Sequence, residues 1–435
     1  MRFAFSIFVL LVTTIHAQAA HFKVGFAQQN ITPTRATPMW GYGARHNALS
    51  TGVRDPLFAK ATVIDVGKTK LAIVGLDLGR SPRDDMMVRI RKAIKEKAGV
   101  DHVLISGSHT HHGPVIELLD EKGKGQGVYD DAIAYTVELE QKIIHTILSA
   151  AQTTKDARVG WGSNVVPMNR NRHSKIAPKP TDSELGVIRF DDPSGKPIGF
   201  VVNYAAHPTM ISGADLRFSA DWPGQMMNAV EAKYDAPCIF MQGAAGDMST
   251  RTTAQTRGFE AFGKAMADQV IQTAEQIETL EPEKPSIQGM VDTFTFDARV
   301  PLSNPITQAL FGTAFFPELA KAVISGDVAK NKIDAHLTTI LLNGKLALVG
   351  GSGEFFCNHS NRLKERSRAE KTFFFGYCNG HNLYFPTIEA AAEGGYGADP
   401  TVSWVSLGAG EAMMNKALIN IYTMMGNFDF KLPGL

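Results

Sequence analysis

The eight residues GSHTHHGP, Gly107 to Pro114, hold three of the chain's 13 histidines and follow directly on the apolar run HVLIS. Residues two apart on an extended segment share a face, so His109 and His111 point one way and His112 the other. A His-x-His pair on one face offers two imidazoles to a metal ion or a reacting group. The same spacing also suits loop histidines that only hydrogen-bond, and on these residues alone both readings stand. Two other stretches repeat the pattern of an apolar run that ends in polar groups. His207 follows IGFVVNYAA, and Asp247 and Ser249 follow APCIFMQGAAG. Taken singly, His207 before Pro208 reads as structural, and Ser249 is one serine in a glycine-rich turn that lets a backbone approach a ligand. Taken together, the three lie where ligands collect in open α/β sheets, outside the carboxyl ends of strands.

The elements that must carry these groups are legible. Lys60 to Gly79 holds two β-branched runs joined at a Gly-Lys turn, the pattern of a hairpin. DDMMVRIRKAIKEKAGV has the apolar period of an amphipathic helix stopped by Gly99. Long helices are expected over DDAIAYTVELEQKIIHTILSAAQ and GFEAFGKAMADQVIQTAEQIE, and buried strands over DHVLIS, IGFVVNY and APCIFMQ. Asn343-Gly344 inside AHLTTILLNGKLALVGGSGEFF marks a second hairpin. Such alternation predicts an α/β fold with a layered mixed β-sheet core flanked by helices. Ala309 to Val323, ALFGTAFFPELAKAV, reads as a buried core helix, with a pocket wall or a membrane-docking segment as the alternative.

Composition narrows the class. Lysine plus arginine number 44 against 43 acidic residues, a balance that argues against a nucleic-acid partner. At the start stand Arg2, an apolar run from Phe3 to Ile15 and the small-x-small site Ala17 to Ala19, the pattern of an export signal over residues 1–19. The expected mature chain, 20–435, is periplasmic or extracellular. With three cysteines, two arrangements stay open: a Cys357–Cys378 bridge, or three free buried thiols.

GSHTHHGP, NYAAHPTM and GAAGDMST resemble, in order and approximate spacing, motifs of the neutral (non-lysosomal) ceramidases. PMNRNR, GGSGEFFCNHSNRLKE and GYCNGHNLYFPTIEAAAEGGY are similar to further stretches of that family, and the likeness spans roughly residues 22 to 410. The resemblance implies a single catalytic domain that binds zinc through His109, His207, Glu354 and Tyr384. It also implies a catalytic role for Ser249, and places His111 and Tyr384 beside the reacting carbonyl. Arg170 matches the family's arginine in PMNRNR, and Asp247 accompanies it as a substrate-binding residue. The implied reaction is hydrolysis of an N-acyl amide such as N-acylsphingosine to a fatty acid and an amine, with peripheral membrane contact as a further expectation. Imidazole and carboxylate are donors that suit zinc, which supplies Lewis acidity. The chain departs from the family in ending at Leu435, where ceramidases continue into an immunoglobulin-like domain, and in having Thr250-Arg251 where they have Pro-Asn. These departures keep two alternatives in view: a zinc hydrolase of another amide or ester, and a non-catalytic exported binding protein. A binuclear amidohydrolase barrel would need a bridging lysine and a late catalytic aspartate, which the sequence does not supply in convincing places.

Overall fold

The computed structural model describes residues 22–428, so the export signal expected over residues 1–19 lies outside the described residues. Three sheets form the framework. The first runs His102–Gly107, Lys70–Leu76, Phe58–Asp65, Lys23–Asn30 and Lys155–Asp156 in spatial order. The second runs Cys238–Gln242, Pro197–Tyr204, Glu184–Asp191 and Arg158–Val165. The third runs Ile287–Asp297, Lys332–Leu342, Leu346–Gly351 and Lys371–Phe375. The fold is mixed α/β, as the alternating pattern predicts.

Apolar faces explain the layering. Asp84–Ala98 and Asp130–Gln152 pack Met87, Ile90, Leu139 and Ile143 against Ala61, Val63 and Val74 of the first sheet. Asp221–Tyr234 and Phe259–Glu275 cover the second sheet with Met226, Val230, Phe262 and Val270. Ala409–Met424 packs on the third. The inner faces of all three sheets meet in one core: Ile73 and Leu104 from the first, Val201 and Ile239 from the second, Leu348 and Phe373 from the third. At Gly75 the sheets come so close that a Cβ would stand 2.6 Å from the Phe240 carbonyl oxygen.

Each sheet contains one parallel pair, and these pairs position the site. Leu76 ends level with Gly107, Tyr204 with Gln242, and Gly350 with Phe375. Parallel strands bring two carboxyl ends to the same edge, and the three edges converge. Buried amides tie them together. Gln242 Nε2 donates to Ser108 O and Ala206 O, both at 3.0 Å, joining the loops that follow the first and second sheets. Asn379 Nδ2 donates to Val103 O at 2.7 Å, and its Oδ1 accepts from Ile105 N at 2.9 Å, joining the third sheet to the first.

Two expectations change. Ala309 to Val323 is not one buried helix. It forms two short helices, Pro305–Ala314 and Pro317–Val323, broken at Phe315-Phe316, and the first buries no residue. Phe311 packs on the core and, with Phe315, Phe316 and Leu319, lines an open pocket. Cys238, Cys357 and Cys378 are all free and buried, which resolves the open cysteine pairing.

Candidate metal centre and active site

His109 is not carried on an extended segment. The strand ends at Gly107, and His109 takes a left-handed backbone with φ 67°. The loop therefore turns, and His109 and His111 still converge on one centre while His112 turns away. Arg45 Nη2 lies 2.6 Å from His112 Nε2, which also faces Ser212 O at 3.1 Å.

Hydrogen bonds fix the ring tautomers. His109 Nδ1–H donates to Gly79 O at 2.8 Å, and His207 Nδ1–H donates to Met248 O at 3.1 Å. Each Nε2 then carries a lone pair, and the two Nε2 atoms face each other at 3.1 Å. Two lone pairs cannot bond to each other, so this approach calls for a cation between them. Glu354 Oε2 stands 3.3 Å from His109 Nε2 and 3.5 Å from His207 Nε2, buried and without a hydrogen-bond donor. His111 Nε2 lies 3.5 Å from His109 Nε2, and the ligand atoms of the three histidines all fall within 4.8 Å of one another.

Protonation follows the same logic. Burial pushes His207 down to about 3, aided by the Arg172 guanidinium. Burial, then His109 and His207, holds His111 well below the usual imidazole range. Burial opposes the charge of Glu354, but His109 and His207 outweigh it and keep the carboxyl ionised. Neutral His207 and His111 imidazoles beside the ionised Glu354 carboxylate are in the forms that bind a divalent ion. The donor set fits zinc.

Tyr384 reaches the site through a two-residue parallel pairing in which Glu354 is level with Tyr384 and Phe355 with Phe385. Arg172 Nη2 donates to Tyr384 Oη and to Gly246 O, both at 3.0 Å, and lies 3.0 Å from His207 Nε2. One NH2 group has two protons, so the tyrosine and the carbonyl can take both and leave the His207 lone pair free. Burial, then Glu354, pushes the Tyr384 phenol well above its ordinary range, so it stays protonated.

The remaining expected residues separate. Arg170 is not brought to the site: on Asn169–Asn171 the asparagines are buried and Arg170 is exposed. Arg172, two residues on, is the arginine that reaches His207 and Tyr384. Asp247 does not line the cleft above the histidines. Its carboxylate accepts from Asn171 Nδ2 and Cys357 N, both at 2.7 Å, so it holds loops together. Ser249 lies beside the His207 backbone in an isolated bridge, and among the described residues no base hydrogen-bonds its hydroxyl.

Sequence reasoning missed several partners. The His109 ring lies tilted against Tyr377 with centroids 4.2 Å apart, and Trp40 meets it edge-on at 4.8 Å. His381 Nε2 lies 3.7 Å from Glu354 Oε1. Tyr377 and His381 fall within GYCNGHNLY, the stretch that supplied Tyr384, and their aromatic and imidazole character was the available signal. The centre opens into a cleft walled by Trp40, Tyr42, Phe311, Phe315, Phe316 and Leu319. Such a cleft suits an apolar chain leading up to a polar reacting group.

Residues 22–265 match the family described as neutral/alkaline non-lysosomal ceramidase, N-terminal. Over 259 residues the chain is 25% identical to neutral ceramidase of Drosophila pseudoobscura pseudoobscura, an alignment covering 54% of this chain and 35% of that protein. Neutral ceramidase 3 of Arabidopsis thaliana is 25% identical over 218 residues, covering 46% of this chain and 29% of that one. The chain thus spans about a third of the length of these curated relatives. The crystal structure of neutral ceramidase from Pseudomonas aeruginosa superposes with a TM-score of 0.76 at 17% identity, covering 96% of this chain and 76% of that one. It shares the fold.

Proposed function

Because the chain belongs to the neutral/alkaline non-lysosomal ceramidase family, we propose that it is an exported zinc-dependent amidohydrolase. Its substrate is an N-acyl amide of the N-acylsphingosine type, which it cleaves to a fatty acid and an amine. The catalytic domain occupies 20–435, behind an export signal at 1–19, and acts in the periplasm or outside the cell. His109, His207, Glu354 and Tyr384 hold the ion. The observation that carries this reading is the facing of two lone-pair-bearing Nε2 atoms at 3.1 Å beside the unpartnered Glu354 Oε2.

Zinc bound there supplies Lewis acidity to a carbonyl and to water, an effect worth several kcal/mol at the transition state. The chain's own groups do the rest. Gly79 O and Met248 O hold the His109 and His207 tautomers. Tyr377 and Trp40 fix the plane of the His109 ring. Arg172 holds the Tyr384 Oη through its Nη2 bond, and protonated Tyr384 directs its O–H at the carbonyl oxygen as its charge grows. His111, neutral and with a buried Nδ1 that has no hydrogen-bond partner, orients the reacting groups. Ser249 positions substrate beside His207, because without a base its hydroxyl is a weak nucleophile. The phenylalanine wall takes the acyl chain. Ile306 and Leu310, 71% and 65% exposed on the adjoining helix, make the peripheral membrane contact through which a lipid reaches the cleft.

The test is fatty-acid release from N-acylsphingosine by the purified mature chain, with and without a zinc chelator. Release that stops on chelation and returns with zinc supports the proposal. Release untouched by chelation refutes the metal. Release only from other acyl compounds refutes the substrate.

A further inference from the structure

The three histidines at the centre are not held in the same way. His109 and His207 each donate Nδ1–H to a backbone carbonyl, Gly79 O and Met248 O. His111 Nδ1 is buried and, among the described residues, meets no hydrogen-bond partner. Its ring is confined instead by Trp40 and Tyr42, which meet it edge-on with centroids 5.1 and 4.9 Å away. The terminal torsion of a histidine has broad wells. The aim of the His111 ring therefore depends on where its backbone stands.

Arg45 holds that backbone. It closes the short 3₁₀ turn Gly43–Arg45 and is buried. A guanidinium has five N–H groups, and here each has an acceptor. Nη1 donates to His111 O at 2.5 Å and to Trp40 O at 3.3 Å. Nη2 donates to His112 Nε2 at 2.6 Å and to Asp215 O at 3.0 Å. Nε donates to Gly213 O at 2.8 Å. The Asp215 carboxylate is taken by Arg54 and Arg217, at 2.8 and 2.7 Å, so Arg45 meets only that residue's carbonyl. A buried charge without a carboxylate beside it is a costly way to stabilise a fold. What a planar five-donor fork supplies is fixed geometry. His111 O and His112 Nε2 belong to neighbouring residues, so one guanidinium grips both sides of a single peptide bond. The inward aim of His111 and the outward turn of His112 are set together. Trp40 O is held by the same Nη1, and the Trp40 ring touches both His109 and His111. The turn that carries Arg45 is itself anchored, because His46 Nδ1–H donates to Phe315 O at 2.6 Å.

We propose that Arg45 is a positioning residue for the hydrolysis, which aims His111 at the reacting carbonyl without touching substrate or metal. The inference rests on the amide-hydrolase reading. Tyr42, Gly43 and His46 line the cleft and Arg45 does not, so it acts only through the groups it holds. A catalytic group displaced by about 1 Å loses about 100-fold in rate. Lysine is a poor substitute, because a compact ammonium offers three donors and no plane. His109 and His207 keep their own Nδ1 bonds when Arg45 is replaced. The loss therefore falls on turnover and spares the metal.

The experiment compares Arg45→Lys and Arg45→Ala with the wild-type full chain in N-acylsphingosine hydrolysis, each below its melting temperature and with bound zinc measured. In both variants kcat is expected to fall by about 10- to 100-fold, with KM within about threefold and zinc content unchanged. Added guanidinium ion, kept below the concentration at which unfolding begins, restores part of the Arg45→Ala rate, and ammonium ion does not. A second readout needs no substrate: ring ¹⁵N NMR of histidine-labelled protein, with the His111 signal assigned by its loss in His111→Gln. That signal is expected to be single in the wild type and broadened or doubled in Arg45→Lys. Wild-type kcat in both variants, a fall in rate that tracks lost zinc or a raised KM, an unchanged His111 signal, or loss of the fold in both variants overturns the positioning role. If the wild type itself releases no fatty acid, the amide reading falls, and the His111 signal alone decides what Arg45 does.

Discussion

Replacing Arg170 and Arg172 in separate variants pits the geometry against the sequence likeness. Arg170 is exposed on Asn169–Asn171. Arg172 is mostly buried and serves Tyr384 Oη and Gly246 O at 3.0 Å each. A hydrogen bond from a charged group contributes about 1.5–3 kcal/mol, so losing two puts about 3–6 kcal/mol at stake before water refills the gap. Removing one donor from a site of developing negative charge lowers kcat by about 10²–10³-fold. Arg172→Ala is therefore expected to lower kcat/KM by about 100-fold or more with zinc content unchanged, since arginine is no ligand. Arg170→Ala should stay within about twofold, its stability within about 0.5 kcal/mol. Arg172→Lys keeps the charge but lacks the planar fork, and recovers only part of the rate. The assay is kcat/KM on N-acylsphingosine, paired with metal analysis and a melting curve. A rate collapse in Arg170→Ala with full activity in Arg172→Ala would refute the assignment.

Two further outcomes follow from local geometry. At Gly41, with φ 108°, an added Cβ would stand 2.5 Å from His111 Cγ. Gly41→Ala should displace His111 and lower kcat by about 10- to 100-fold while the protein still binds zinc; wild-type turnover would show that His111 does not orient the reaction. Glu184 is held down to about 2: burial opposes its charge, and Lys364, Lys371 and Ser163 outweigh burial. The lysines lie 2.9 and 2.8 Å from its oxygens. A depressed carboxyl stabilises the fold above its ordinary pKa of 4.5 and loses that contribution as pH falls toward 2. Glu184→Gln should therefore cost about 2–3 kcal/mol at pH 7, a gap that narrows steadily below pH 4.5 in denaturant melts. A gap independent of pH would contradict the ion-pair account.

Much of the framework was legible because periodicity reports burial directly. Gly99 caps Asp84–Ala98 in the left-handed conformation, and Asn343-Gly344 turns a hairpin with both residues at positive φ. The rule that ligands gather at strand carboxyl ends located all three convergent loops. What failed did so for identifiable reasons. Two-residue alternation buries Asn169 and Asn171 and turns Arg170 out, while Arg172 lies past the strand end, where its N–H bonds Asp247 O and alternation no longer applies. The Pro305–Ala314 helix has an apolar face that fits a core or a pocket wall equally well, and only the tertiary arrangement distinguishes them. His381 meets Glu354 across 27 residues of chain, a contact no local pattern encodes.

The most direct test of the metal centre is anomalous diffraction at the zinc edge from crystals of the purified, active protein. The account predicts one peak about 2.0–2.2 Å from His109 Nε2, His207 Nε2 and a Glu354 oxygen, absent from His207→Ala together with turnover. A fully active protein with no peak there, or a His207→Ala variant that keeps both peak and rate, would contradict it.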